Sequence, residues 1–256
     1  MHPFPQFSLY QYRLFLESLV EWNYEFHYFG DYDVPAHRPQ AWIRHDVDYS
    51  WGRAFAMLCV ENVMEPHIPA TYFFRDHDLE ARVYSAFSAQ IEEEGWPTRL
   101  GYHYELFSRD ESDQDVRRRI LMRKQQFGFE VISAHGKPFY RDARAIPVCG
   151  KGHGSLYLNA YSVPASTNAL YLTDTGRFRP QWNLYDRCFH IPLLTEEYQT
   201  WWFDDIMEVI YEKRPNLVVN FHPDRWSYST TVRAVDWVKD NAKGWIKECI
   251  KLARSF

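Results

Sequence analysis

The amino-acid sequence predicts an α/β protein built as a single distorted or incomplete (β/α) barrel of about seven parallel strands. Three observations point there. Short apolar, β-branched or aromatic runs alternate with helical stretches at βα spacing, which implies a parallel sheet. No internal repeat, low-complexity tract or linker divides the 256 residues, so one domain over 1–256 accounts for them. Acidic, histidine and arginine residues recur where the apolar runs end, the edge at which α/β folds gather their ligands.

In chain order, Ser8 to about Tyr24 reads as a helix with Tyr12, Leu14, Phe15, Leu19 and Val20 on its apolar face. A loop carrying Gly30, Pro35 and Pro39 leads to a short buried strand beginning at Ala41-Trp42-Ile43. The strand runs into Arg44-His45-Asp46-Val47-Asp48, and a helix follows at once, with Phe55, Leu58, Cys59 and Val63 on one face to about Glu65. Pro69 to Arg75 is the second strand, Asp78 to Glu94 a helix stopped by Gly95, and Arg99 to His103 the third strand. Ser112 opens a charged helix through Gln126, closed by Gly128, and Phe129 to His135 is the fourth strand. Gly136 to Thr167, rich in glycine and proline, reads as an irregular insertion bordering the cleft. Its Gly-Lys-Gly-His-Gly segment lacks the G-x-x-x-x-G-K-[ST] spacing of a phosphate loop. Strands resume at Ala169–Asp174, Cys188–Ile191 and Leu217–His222, with helices over Tyr198–Glu212 and Thr231–Ala253.

Composition excludes several classes of function. A net charge of −5 without basic blocks argues against nucleic acid and anionic membrane surfaces. No apolar run is long enough for membrane insertion. Cys59, Cys149, Cys188 and Cys249 form no C-x-x-C pair, as expected of reduced thiols in a cytoplasmic protein. Met1-His2-Pro3-Phe4-Pro5 has neither the basic nor the apolar region of a secretion signal, which fits the same expectation.

The chemistry lies at the strand ends. Asp46 and Asp48, Arg75, His103, His135, Asp174, His190 and His222 each stand at or just after one. Ends of parallel strands share one face of a barrel, so these groups converge although distant in sequence. Helix capping by Asp48 or Ser50 accounts for one of the two acids, not both. Histidines and aspartates around an open position suit a catalytic divalent metal, Zn²⁺ above all.

Arg-His-Asp-Val-Asp, Pro-Ala-Thr-Tyr-Phe-Phe at 69–74, Gly-Tyr-His-Tyr-Glu at 101–105, Ser-Ala-His-Gly at 133–136, Thr-Asp-Thr-Gly at 173–176 and Phe-His-Pro at 221–223 follow one another in order. In this the chain resembles the polysaccharide deacetylases (carbohydrate esterase family 4, the NodB-homology fold). More narrowly it resembles their HDVD branch, with the WbmS-type deacetylases of bacterial O-antigen loci. The resemblance implies a distorted barrel and a divalent metal, commonly zinc. The implied activity is removal of an acetyl group from a sugar in bacterial surface-polysaccharide (O-antigen) biosynthesis, the substrate being a sugar or glycan precursor. It assigns Asp46 as general base, Asp48 and His103 as metal ligands, His222 as general acid and Asp174 as its partner.

Two departures stand out. The second histidine of the family's H-x-x-x-H block is replaced by Phe107, so either His135, or less readily Glu105, supplies the third ligand, or the metal is weakly held or absent. The family's Arg-x-Pro-Tyr block is absent, so the arginine that orients the base is one of Arg44, Arg75, Arg141 and Arg177. The missing histidine also keeps open a non-catalytic carbohydrate-binding relative, or a metal hydrolase for another sugar amide such as a formamido group. His45 and His190 read as structural residues. Trp182 and Trp226 fit either core packing or stacking on a sugar face.

Overall fold

The computed structural model of the protein describes residues 8–32, 37–80, 82–135, 158–159, 169–174 and 203–235. Ser8 caps the first helix, α1 (Leu9–Glu21): its hydroxyl accepts from the Gln11 N–H while the Gln11 side chain accepts from the Ser8 N–H. Then come β1 (Glu25–His27), β2 (Gln40–Val47), α2 (Trp51–Asn62), β3 (Ala70–Phe74), α3 (Asp76–Glu80) and α4 (Val83–Glu94). They are followed by β4 (Thr98–Tyr104), α5 (Asp113–Phe127), β5 (Val131–Ala134), β6 (Leu158–Asn159), β7 (Ala169–Thr173), α6 (Phe203–Lys213) and β8 (Asn216–Phe221). A 3-10 turn, Pro223–Arg225, closes the last strand.

The strands form one sheet in the order β6-β5-β4-β3-β2-β8-β7, with β1 beside the first residues of β2, and every pair is parallel. The sheet curls into a half-barrel, so the fold is mixed α/β and consistent with a partial (β/α) barrel. β2 lies between β3 and β8, and all eight of its residues are buried. One face of the sheet packs on the helices through Ala41, Ile43, Val47, Tyr72 and Phe74 against Tyr12, Leu16, Met57 and Leu58. The other carries a smaller apolar cluster of Phe29, Trp42, Phe73, Val131, Ala169 and Val218. Gly101 makes room for that cluster. A Cβ on it would meet the Phe73 ring at 2.7 Å and Val131 Cγ2 at 2.9 Å, so no larger residue fits without displacing them.

Several expectations need correction. The run expected as one helix from Asp78 is two, α3 and α4, because Arg82 takes a left-handed conformation (φ 63°) that no α-helix accommodates. β1 was not foreseen, and the 136–167 insertion is not wholly irregular, since Leu158–Asn159 pairs with Val131–Ile132 of β5. The rest of that insertion, the strand expected at Cys188–Ile191 and most of the helix expected from Thr231 lie outside the described residues. On α2 the buried face runs through Ala54, Met57, Leu58 and Glu61 while Val63 is exposed. An acid occupies an apolar phase there because it has buried partners, described below. Among the described residues, no helix is long and apolar enough to cross a membrane.

Candidate active site

Residues two apart on a strand project to the same side. On β2 that phase carries Trp42, Arg44 and Asp46, with Asp48 just past its end. Trp42 belongs to the small apolar cluster, and above it the Arg44 guanidinium lies over the rings of Phe73 (5.1 Å) and Phe29 (5.5 Å). Arg44 Nη2 then reaches both Asp46 oxygens at 2.6 and 2.7 Å and the Ser133 hydroxyl at 2.5 Å. Asn220 of β8 donates to Asp46 Oδ2 at 3.0 Å. Burial works against the charge on Asp46, but Arg44, with His103 and His222 beyond it, outweighs burial and holds the carboxyl well below the usual range. Of the four candidate arginines, Arg44 is thus the one that grips Asp46, while Arg141 and Arg177 lie outside the described residues.

Asp48 is held differently. Its Oδ1 is buried and accepts no hydrogen bond, yet it lies 3.7 Å from His103 Nε2 and 3.4 Å from His135 Nε2. The two imidazoles stand perpendicular, their centroids 5.1 Å apart. One donor atom from each of Asp48, His103 and His135 falls within 4.8 Å of the others, so the three form a group that could hold a metal ion. Their electrostatics fit one. Burial, with Asp224 and Asp46 adding to it, pushes the Asp48 carboxyl up to about 7. Burial lowers His103 to about 3, and burial together with Arg75 lowers His135 to about 4, so both rings are neutral and able to ligate. Helix capping does not account for Asp48, since the N-cap of α2 is Ser50.

On the far side of Asp46 stands a histidine–carboxylate pair. His222 Nδ1 lies 2.6 Å from Asp174 Oδ1, and the His222 backbone N–H and the Trp226 indole both donate to Asp174 Oδ2 at 2.8 Å. With Nδ1 so engaged, His222 Nε2 comes to 4.0 Å from Asp46 Oδ2. Burial disfavours the charged ring, but the adjacent Asp174 outweighs it and raises the His222 pKa, while Asp174 itself is lowered against burial chiefly by His222 and Arg225. Asp174 thus accepts from His222 and Trp226 with both oxygens. Trp226 is 2% exposed and fixes Asp174, which rules out stacking on a sugar.

The remaining sequence candidates divide. His45 faces the helices, where it bonds Glu61 at 2.6 Å and stacks on Tyr72. Glu105 is neither a solvated acid nor one of the three grouped donors: it is 6% exposed and bonds Arg75 at 2.7 Å. Phe107 is exposed, with the Arg119 guanidinium 3.8 Å from its ring, and the residues around it are not helical. His190 and Trp182 lie outside the described residues. Ser133 and Asn220 escaped the sequence reading. Each sits two residues before a strand-end histidine, and a polar residue in that phase of an otherwise apolar strand was the available signal.

No protein-family model matches the chain, and no curated protein or solved structure matches it either.

Proposed function

We propose that the protein is a metal-dependent hydrolase that removes an acetyl group from a sugar, as its motifs' resemblance to polysaccharide deacetylases suggests, on a distorted (β/α) barrel. The observation that carries this reading is the setting of the three-donor group beside Asp46 and His222, whose Oδ2 and Nε2 lie 4.0 Å apart. An ion held by Asp48, His103 and His135, zinc by preference for this donor set, would polarise the acyl carbonyl and acidify a water.

The chain's own residues divide the proton transfers. Arg44 and Asn220 hold Asp46 ionised and oriented, the state in which Oδ2 accepts a proton from the attacking water. As the tetrahedral adduct collapses, the bond from the acyl carbon to the sugar nitrogen (or oxygen) breaks. The His222 imidazolium delivers its Nε2 proton to that leaving atom, while Asp174 accepts from Nδ1–H and holds the ring in place. Acetate and the deacetylated sugar leave. The HDVD-branch resemblance suggests a precursor of bacterial surface polysaccharide (O-antigen) as substrate.

The test is acetate release from a panel of N- and O-acetylated sugars and sugar nucleotides, with protein stripped of metal and then reloaded with zinc. Release that depends on zinc is expected. Formate release from a formamido sugar would keep the chemistry and change the acyl group. A zinc-loaded protein that binds sugars but releases no acid would instead make it a binding relative of such enzymes.

A further inference from the structure

His135 follows β5 rather than lying on a helix, so no regular backbone element fixes its ring. Its backbone N–H bonds the Tyr104 carbonyl at 2.7 Å, which places the residue but leaves the side-chain torsions free. Its Nε2 faces Asp48 at 3.4 Å, while its Nδ1 is buried without a hydrogen-bond partner. A histidine that gives its Nε2 lone pair to a cation carries its proton on Nδ1, and that proton needs an acceptor. The carboxylate facing Nδ1 is Glu105, with Oε2 at 3.8 Å. The same oxygen lies 2.7 Å from Arg75 Nη2, and Glu105 and Arg75 are 6% and 7% exposed.

We propose that Glu105, anchored by Arg75, is the positioning residue for His135, taking its Nδ1 proton and so directing Nε2 toward Asp48 and His103. This rests on the metal reading above. Glu105 stands two residues after His103, just past the end of β4, so one strand and the residue that follows it bring both a donor and the support for its neighbour. A ring movement of about 1 Å brings Nδ1 and Oε2 into hydrogen-bond range. Arg75 Nη2 holds that oxygen at 2.7 Å and so fixes the carboxylate that faces Nδ1. The arrangement supplies to a loop-borne histidine the rigidity that a helix would give.

The test is the affinity of the full chain for Zn²⁺, read by competition with a chromophoric chelator, together with the visible spectrum of the Co²⁺-loaded protein. Glu105→Gln keeps an oxygen for Arg75 but loses the charge. It should weaken Zn²⁺ binding about 10–100-fold and alter the Co²⁺ bands in a metal-free protein that still folds. In a His135→Ala background the same substitution should cost nothing more, because Glu105 acts only through that ring. Should Glu105→Gln fail to fold, Arg75→Gln/Glu105→Gln, which removes both charges, takes its place with the same expectation. Affinity within twofold of the parent in a folded variant, or a further loss on top of His135→Ala, overturns the positioning role alone. A parent protein that binds neither Zn²⁺ nor Co²⁺ overturns the metal reading and this inference with it.

Discussion

Two histidine–carboxylate pairs in this protein each close at 2.6 Å, His45–Glu61 behind the sheet and His222–Asp174 at its C-terminal edge. Behind the sheet both Glu61 oxygens are used, and the nitrogen left over, His45 Nδ1, is sealed in the core. Glu61 takes the His45 ring and the Tyr12 hydroxyl on one oxygen and the Tyr72 hydroxyl on the other, at 0% exposure, while the His45 ring stacks on Tyr72 at 4.2 Å. At the edge the pairing stops halfway. Asp174 takes Nδ1 of His222, and Nε2 is left facing Asp46 at 4.0 Å, across from a buried Asp48 oxygen that accepts nothing. A histidine beside an acid is therefore not the mark of a site. What distinguishes a site is polar valence left over at an edge that substrate can reach.

The sharpest way to break this contrast is to remove the spare valence. Asp46→Asn and His222→Ala should each lower acetate release by about 10²–10⁴-fold while bound zinc is retained. Loss of zinc on elemental analysis of Asp46→Asn would show that base and ligand have been exchanged in this reading. Removing the closed pair should act on folding instead. Glu61→Ala strands the Tyr12, His45 and Tyr72 donors in the core and should destabilise the protein by about 3–5 kcal/mol in urea titration. A loss under about 1 kcal/mol would mean that this cluster is not the structural one.

Asp48 gives a subtler test. Its carboxyl, raised to about 7, favours the protonated state in the metal-free fold. That contribution is fully present below the unfolded value of about 4 and is lost as pH rises to about 7. Asp48→Asn mimics the protonated form. It should abolish zinc binding and yet make the metal-free protein more stable than its parent at pH 8, by on the order of 2–4 kcal/mol, with no gain at pH 4. A metal-free Asp48→Asn protein no more stable than the parent at pH 8 would contradict this. The smallest effect is a displacement of the pH profile. Because Asp174 raises the His222 pKa, the alkaline limb of kcat/KM should lie above the ordinary histidine value of about 6.5. In Asp174→Asn, whatever rate survives should show that limb at lower pH. A limb that stays in place would assign it to another group.

The sequence made strand ends legible because parallel strands deliver their last residues to one edge, whatever separates them along the chain. That logic reaches Asp46, Asp48, His103, His135, Asp174 and His222 without any contact being known, and the structure brings all six to that edge. It could not say what lies beneath them. Arg44 reads as a polar residue near a strand end, yet it is 0% exposed and sits on two aromatic rings. Glu61 and Glu105 look like surface acids because charge in a helix or after a strand usually is. Only tertiary partners from other elements, Tyr12 and Tyr72 for one and Arg75 for the other, make their burial tolerable. The break at Arg82 was illegible for a related reason: a left-handed residue other than glycine, asparagine or aspartate leaves no compositional trace.

β2 has no idle side. One phase of it, Trp42, Arg44 and Asp46, carries the smaller apolar cluster and the buried Arg44–Asp46 pair, and the other, Ile43, His45 and Val47, packs against the helices. The same few residues thus carry two overlapping instructions, rather as one stretch of text read in two frames. A slip of one position would exchange them wholesale and lose chemistry and core together. A change to this strand therefore bears on the edge and on the core at once.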